Sequence, residues 1–205
     1  MAAGRAGRVP GAVTLVAATK TASAGAIAEA IDAGVRDVGE NRAQELVAKA
    51  PQLAEHEPRW HFVGPLQRNK VRSLAPWVAC WQTVDRRALG AEIAARAPGA
   101  RVLIEVNLAG EPQKAGIEPA RVGELADELR AMDLDVAGLM AIPPFDGEAR
   151  RWFAALRAIA ERHELEQLSM GMTADYEIAV EEGATIVRIG RAIFGDVRTR
   201  SQRRM

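Results

Sequence analysis

Short runs of apolar and β-branched residues alternate along this chain with longer segments rich in Ala, Glu and Arg. Eight of these runs have the length and composition of buried strands. They cover residues 13–19 (VTLVAAT), 35–39, 60–63, 78–84, 101–108, 136–141, 167–170 and 184–189. The pattern therefore predicts eight short strands separated by other elements.

Helical patterns occupy the gaps between the predicted strands. Ser23 precedes apolar positions at helical spacing and Gly34 follows them, as an N-cap and a helix stop do. Helices are predicted over residues 23–33, 41–54 with a break near Pro51, 67–74, 85–97 with Asp85 as cap, 118–132, 148–163 and 174–182, and a short helix begins at Gly190. Strands that alternate with helices indicate right-handed βαβ units and a parallel sheet.

Eight βα units predict an α/β protein with a single (β/α)8 TIM barrel over residues 13–197. This fold usually takes ~250 residues and ~200 at its lower end. An open doubly wound sheet is the alternative. Residues 1–12 are left as an N-terminal extension, and residues 198–205 form a basic tail that we expect to be disordered.

Composition narrows the class of function. The 205 residues include 27 Lys and Arg against 27 Asp and Glu, and only 4% are aromatic, so nucleic-acid binding is disfavoured. The single Cys excludes an internal disulfide and a multi-thiolate metal site. Neither a signal-peptide pattern nor an apolar run near the ~20 residues of a membrane helix is found. We expect a cytoplasmic, globular monomer that binds no membrane.

Lys20 is the first candidate functional residue, because the working groups of a parallel α/β barrel lie at the C-terminal ends of its strands. It follows the apolar run of the first strand with no charge in between. Partial desolvation there would disfavour the ammonium form and free the amine for a Schiff base with an aldehyde. The alternative is a lysine that simply extends into solvent at the end of a strand.

The ends of the last two predicted strands carry the features of an anion site. Ser169, Gly171 and Thr173 precede one helix, and Gly190-Arg191 opens another. Unpaired N–H groups at helix starts favour negative charge, and barrels often bind phosphate after strands seven and eight. These residues therefore predict a phosphate site, although glycines also simply stop helices.

Arg188 lies within the last predicted strand, and alternation places it on the face opposite Val187 and Ile189. A buried Arg is costly unless it is paired, so it forms either an internal salt bridge or a ligand contact. A lysine for an aldehyde, a phosphate site and a buried Arg together suggest pyridoxal 5′-phosphate (PLP), whose enzymes use a Lys Schiff base and an Asp or Arg near the pyridine nitrogen. A Schiff-base aldolase needs no pyridine partner and stays an alternative.

Six motifs in this chain resemble the pyridoxal phosphate homeostasis protein family. They are AATKT at 17–21, GEN at 39–41, WHFVGPLQRNK at 60–70, GLMAIP at 138–143, LSMGM at 168–172 and VRIGRAIFG at 187–195. The resemblance is collinear from about residue 13 to residue 195. It implies a PLP-binding barrel similar to the N-terminal domain of bacterial alanine racemase.

The resemblance also implies a role for each site residue. Lys20 would carry the cofactor and Arg188 would face the pyridine nitrogen. The phosphate would be held by Ser169, Thr173, Gly190 and Arg191, the last two through backbone amides, and the ring would be lined by Asn41 and Met140. The family usually has Ser where this chain has Thr19. Most members begin with an extra helix, so we expect either a truncated start or less cover over one end of this barrel.

These roles favour a carrier over an enzyme. A permanent cation at the pyridine nitrogen disfavours its protonation and weakens the ring as an electron sink. Alanine racemase takes its second base, a Tyr, from a separate β domain, whereas the only Tyr here is Tyr176 on a predicted helix. We expect a protein of PLP (vitamin B6) homeostasis that stores or delivers PLP without robust turnover, with apo PLP-dependent enzymes as candidate partners. An amino-acid racemase is the alternative.

Two further strand residues are expected to be structural. His61 lies beside Trp60 in the third predicted strand, and we expect a hydrogen-bonded histidine there rather than a base. Cys80 lies between Ala79 and Trp81 and is expected to be a small buried hydrophobe.

Overall fold

Eight parallel strands form a closed barrel in the computed structural model, which describes residues 2–9, 11–144 and 146–195. The strands are β1 (Thr14–Ala18), β2 (Asp37–Glu40), β3 (Arg59–Phe62), β4 (Val78–Val84), β5 (Arg101–Glu105), β6 (Asp135–Met140), β7 (Gln167–Ser169) and β8 (Ile186–Ile189). Each strand pairs with the next, and β8 pairs with β1. The predicted (β/α)8 barrel is confirmed and the open sheet is wrong. The predicted tail over residues 198–205 lies outside the described residues.

One helix precedes the first strand, and the other helices follow strands around the outside of the barrel. They are α1 (Ala2–Arg5), α2 (Ala24–Asp32), α3 (Ala43–Lys49), α4 (Arg68–Leu74), α5 (Arg87–Arg96), α6 (Val122–Arg130), α7 (Ala149–Arg162), α8 (Tyr176–Glu181) and α9 (Arg191–Phe194), with 3₁₀ segments at Ala50–His56 and Pro119–Arg121. Ser23 caps α2 as predicted, since its side chain accepts a hydrogen bond from the Ala26 amide at 3.2 Å. Asp85 does not cap α5, because the N-cap position falls one residue later, on Arg86, which makes no side-chain cap bond.

The fifth strand ends earlier than predicted. The ladder stops at Glu105, after which Val106 forms only an isolated bridge with Ile117. Asn107 then closes a turn, since its Nδ2 donates to the Glu111 carbonyl at 2.9 Å and its Oδ1 accepts from the Glu111 amide at 3.2 Å. An Asn that bonds nearby backbone favours a turn over a continued strand.

Buried apolar side chains form two layers. The larger layer lies between strands and helices and includes Phe62, Trp81 and Phe153, all nearly inaccessible. The smaller layer lies inside the barrel and consists of Val16, Cys80, Leu103, Met140 and Ile186. Cys80 is buried as predicted, and burial raises the pKa of its thiol to about 12. Polar side chains occupy much of the remaining barrel interior.

Helix α1 was not predicted from the sequence, and it packs against α8. The Arg8 guanidinium that follows α1 donates to the carbonyls of Val180 and Ala184. Arg5 forms an ion pair with Glu177 at the same place. The segment from Ala2 to Arg8 is thus attached to the barrel next to β8.

No helix within the described ranges has both the length and the apolar character needed to cross a membrane.

Candidate functional site

The C-terminal ends of the eight strands open at one end of the barrel, called the mouth here. The register pairs Ala18 of β1 with Gly39 of β2, and Ala17 of β1 with Ile189 of β8. The segments that follow these three strands therefore lie side by side. They contain Lys20, Asn41 and the pair Gly190-Arg191, so the structure brings these four predicted residues together.

Lys20 lies in the turn after β1, and its side chain is exposed. The desolvation predicted from the sequence is therefore wrong, because β1 ends at Ala18 and Lys20 is already outside the barrel wall. The side chain forms no ion pair with the residues that the structure describes. A primary amine at the mouth without a carboxylate partner is available to a ligand.

The backbone that carries Lys20 is held firmly although its side chain is free. The Thr19 amide donates to the Gly39 carbonyl at 2.8 Å, and the Thr19 hydroxyl bonds the same carbonyl and Glu40 Oε2, both at 3.1 Å. The Ala22 amide closes the turn on the Thr19 carbonyl at 3.0 Å. Threonine at this position thus supplies the hydroxyl that anchors the turn to β2.

A cluster of charged side chains next to this turn was not predicted from the sequence. We call it the outer network, and it consists of Thr19, Glu40, Glu45 and Lys49. Lys49 Nζ lies 2.7 Å from Glu40 Oε2, 2.7 Å from Glu45 Oε2 and 3.0 Å from the Thr19 carbonyl. Glu40 is fully buried. The i,i+4 spacing of Glu45 and Lys49 was a signal for their pairing, but nothing in the sequence linked that pair to β1.

Glu40 also organises Asn41. Glu40 Oε1 accepts from the Asn41 amide at 2.9 Å, which draws the start of the β2–α3 loop onto the outer network. Gly64 lies against the same loop, and a Cβ there would come within 2.3 Å of the Asn41 carbonyl. Among the described residues, Asn41 Oδ1 is buried without a hydrogen-bond partner. Because an unsatisfied buried acceptor is costly, this atom fits a site that receives a donor from a ligand.

Arg188 points into the barrel from β8 and is only 5% exposed. Its Nη1 donates to the carbonyl and the hydroxyl of Ser169 at 2.8 and 2.6 Å, and its Nη2 donates to the Ala141 carbonyl at 3.0 Å. It forms no salt bridge within the described part of the chain. Burial lowers the pKa of Arg188 to about 10, so the guanidinium stays charged near neutral pH. A guanidinium carries five N–H donors, so donors remain for a ligand.

Ser169 lies inside the barrel and not in the loop above it. Its hydroxyl donates to Gln82 Oε1 at 2.6 Å and accepts from Arg188. Gln82 Nε2 lies 2.7 Å from His61 Nδ1, and His61 Nε2 lies 2.9 Å from Asp37 Oδ1. We call this chain of five residues, from Asp37 to Arg188, the interior relay. His61 is hydrogen-bonded, as predicted from the sequence, whereas Gln82 and Asp37 were not singled out there.

Asp37 closes the relay at the far end. Arg59 holds it with two hydrogen bonds of 2.8 and 2.6 Å. Burial alone would raise the pKa of Asp37, but the hydrogen bonds from Arg59 and His61 outweigh it and lower the pKa to about 2. The relay therefore runs from a buried cation at one end to a fixed carboxylate at the other.

The β7–α8 loop and the start of α9 form the other side of the mouth. Gly171 has a φ of +91°, and its carbonyl accepts from the Arg188 amide at 3.0 Å. Asp175 Oδ1 accepts from the Met172 amide at 2.6 Å and folds the loop around Thr173. In α9 the first amide to donate within the helix is that of Ile193. The amides before it point out of the helix start, where a Cβ at Gly190 would lie 3.1 Å from the Ala18 carbonyl.

Met140 ends β6 and is fully buried in the apolar layer inside the barrel. Glu105 ends the neighbouring β5 and accepts from the Thr83 hydroxyl at 2.8 Å. Burial raises the pKa of Glu105, which the bond from Thr83 and the charge of Arg188 partly oppose. The base of the mouth thus holds the buried cation of Arg188 and the carboxyl group of Glu105, whose ionisation is disfavoured by burial.

The arrangement of the barrel is shared with known structures. Alanine racemase from Corynebacterium glutamicum matches with a TM-score of 0.68 over 89% of this chain and 56% of that chain, at 19% identity. That likeness concerns the fold alone. The protein is thus a (β/α)8 barrel of the alanine racemase type, with a lysine after its first strand and a buried arginine in its last.

Sequence comparison gives a narrower assignment. The "Pyridoxal phosphate homeostasis protein" of Aquifex aeolicus is 41% identical in an alignment that covers 94% of this chain and 90% of that protein. The structure of PipY from Synechococcus elongatus "with PLP bound" has a TM-score of 0.85 at 33% identity, over 94% of this chain and 97% of that one. No protein-family model matches the chain. The chain belongs to the pyridoxal phosphate homeostasis protein family.

Proposed function

We propose that this protein binds PLP as a Schiff base on Lys20 and stores or delivers it without robust catalytic turnover. The observation that carries the proposal is the free amine of Lys20 on an anchored turn at the mouth, beside Asn41 and the start of α9. When bound, PLP would supply an aldehyde for that amine, a phosphate and a pyridine ring. The PLP reported in PipY supports the choice of ligand.

Arg188 would lie at the pyridine nitrogen. Its spare N–H donors suit an unprotonated nitrogen, and a cation at this position disfavours protonation of the ring. Its partners within the described residues are neutral acceptors, so no carboxylate in contact offsets its charge. The chain's own chemistry thus favours holding the ring over activating it as an electron sink.

The phosphate would be held by Thr173 and by the backbone amides of Gly190 and Arg191. Gly190 is the N-cap of α9 and has no side chain to cap these amides. For Ser169 we propose an indirect part, because its hydroxyl is engaged with Gln82 and Arg188. Asn41 would offer its unpaired oxygen at the edge of the ring, and Met140 would pack beneath it.

Tyr176 supports a carrier rather than a racemase. The only Tyr of the chain starts α8, and it lines an apolar hollow on the outer wall with Leu15, Val187 and Ile189. Its hydroxyl lies 3.3 Å from Glu177 Oε1. A tyrosine on the outer wall is not available as a base at the mouth.

Borohydride trapping tests the proposal. The protein is mixed with PLP, reduced and digested, and the labelled peptide is identified by mass spectrometry. We expect label on Lys20 and none on Lys20→Ala, whereas Lys70→Ala, which changes a lysine on α4, should label as the unchanged protein does. Label confined to another lysine would contradict the proposal.

The alternatives give different results. Sustained production of D-amino acids, abolished by Lys20→Ala, would favour a racemase. Turnover of an aldol substrate without added PLP would favour an aldolase. Transfer of PLP to an apo-enzyme, location in the cytoplasm and a monomeric state all stay predictions.

A further inference from the structure

The interior relay has one direction along its whole length. The Asp37 carboxylate only accepts, so His61 Nε2 must donate to it. Gln82 Nε2 can only donate, so the Nδ1 that it contacts accepts, and Gln82 Oε1 is left to accept from the Ser169 hydroxyl. With its proton committed to Gln82, the Ser169 oxygen can only accept from Arg188.

Every donor in the relay therefore points from Arg188 towards Asp37. Aligned hydrogen bonds polarise one another in a low-dielectric interior. The hydroxyl and carbonyl of Ser169 and the carbonyl of Ala141 together occupy one side of the guanidinium. Its other donors are left in one fixed orientation, and none of them is taken by a carboxylate in the described residues.

We infer that Gln82 is a positioning residue for the cofactor, which acts through Ser169 and Arg188 on the pyridine nitrogen. This inference rests on the proposed function, since it needs PLP at the mouth. The position of Gln82 in the relay supports this inference. Its amide is the link between the half of the relay that ends in Asp37 and the half that ends in Arg188. Gln82 is fully buried and both ends of its amide are bonded.

Without Gln82 the direction of the Ser169 hydroxyl is no longer set. The proton can turn towards Arg188, which has no acceptor to offer, and the guanidinium loses one of its three fixed partners. We expect its spare donors to lose their alignment with the pyridine nitrogen. The defect should appear in the ring environment and in retention of PLP, without loss of the covalent attachment to Lys20.

The test uses Gln82→Leu, which keeps nearly the same volume and removes both hydrogen bonds. Cys80→Ala is the matched control, because Cys80 lies on the same strand, faces the same interior and takes no part in the relay. Each protein is loaded with PLP carrying ¹⁵N in the ring, and the chemical shift of the pyridine nitrogen is measured by NMR. The dissociation constant for PLP is measured in parallel.

For Gln82→Leu we expect the nitrogen signal to move downfield, towards a pyridine without a hydrogen bond, and the dissociation constant to rise about tenfold. The control should keep the signal of the unchanged protein. A signal unmoved in Gln82→Leu would overturn the inference, because a purely structural role predicts lower stability with the same ring environment.

Ser169→Ala carries the same test if Gln82→Leu does not fold. It removes the same hydroxyl partner of Arg188 and likewise keeps the bond from Arg188 to the Ser169 carbonyl, so a movement of similar size in the same direction is expected, and no movement would again reject the role. Trapping on Lys20 separates the two proposals. Absence of label in the unchanged protein defeats the proposed function, whereas label with an unmoved nitrogen signal defeats only the positioning role.

Discussion

Two buried polar networks reach the mouth of the barrel from different sides. They differ in whether the partners of their basic residue are charged or neutral. The outer network holds the turn around Lys20 with formal charges, since Lys49 lies between Glu40 and Glu45 at 2.7 Å from each. The interior relay contacts Arg188 only through neutral oxygens and keeps its carboxylate, Asp37, at the other end.

The difference follows from which basic group each network must leave free to bind a ligand. Lysine carries three donors on a flexible stem. Lys49 is fully paired, whereas Lys20 has no ion-pair partner within the part of the chain that the structure describes. A carboxylate in contact with Arg188 would occupy its planar fork and reduce what a ligand could receive. Neutral acceptors orient the guanidinium while its charge and spare donors stay available.

The largest expected effect concerns the outer network. Glu40→Ala leaves Lys49 with one fewer carboxylate and removes the acceptor for Thr19 and Asn41, so we expect the free energy of unfolding to fall by about 3 kcal/mol. Urea unfolding measures it. Glu92→Ala is the control, since its ion pair with Arg96 lies on the surface and should contribute less than about 1 kcal/mol. Equal losses of unfolding free energy in the two variants would mean that the outer network stabilises the fold no more than a surface ion pair does.

The second effect concerns the carboxylate end of the interior relay. The pKa of Asp37 is lowered to about 2, so its ionised form stabilises the fold by about 2 kcal/mol at neutral pH. This stability is present above about pH 4, the ordinary value, and is lost as the pH falls towards 2. Asp37→Asn should remove both the stability and its loss with acid in unfolding curves over that range. Asp135→Asn, at a half-exposed pair with Arg101, should change stability much less; a similar drop in both variants would argue against the relay.

The smallest expected effect concerns Glu105, the buried carboxyl group whose pKa is influenced by the charge of Arg188. Burial raises the pKa of Glu105 above its ordinary value, so its ionisation opposes folding as the pH rises from 4.5 through the raised value. Glu105→Gln should therefore flatten the decline of stability over that range and leave neutral stability equal or slightly higher. A clear loss of stability at neutral pH would instead identify Glu105 as a necessary counter-charge for Arg188. Unfolding free energies measured as a function of pH distinguish the two outcomes.

Much of the fold could be predicted from local pattern. The apolar runs gave eight strands and the intervening spacing gave the helices, because period and capping are properties of neighbouring residues. The errors lie where a single side chain bonds nearby backbone, as Asn107 does after β5, or where a short segment is held from outside, as α1 is by α8.

The sequence by itself determined that strands and helices alternate. It also placed Lys20, Asn41, Thr173, Gly190 and Arg191 after strands whose C-terminal ends meet at one mouth, and Arg188 within the last of those strands. Only the tertiary structure decided how those residues are held. Glu40 reaches β1 and α3 at once, and Gln82 joins β3 to β7 across the barrel. Contacts between strands far apart in the chain depend on barrel closure and on which side chains alternate inward, and no local pattern encodes those pairings.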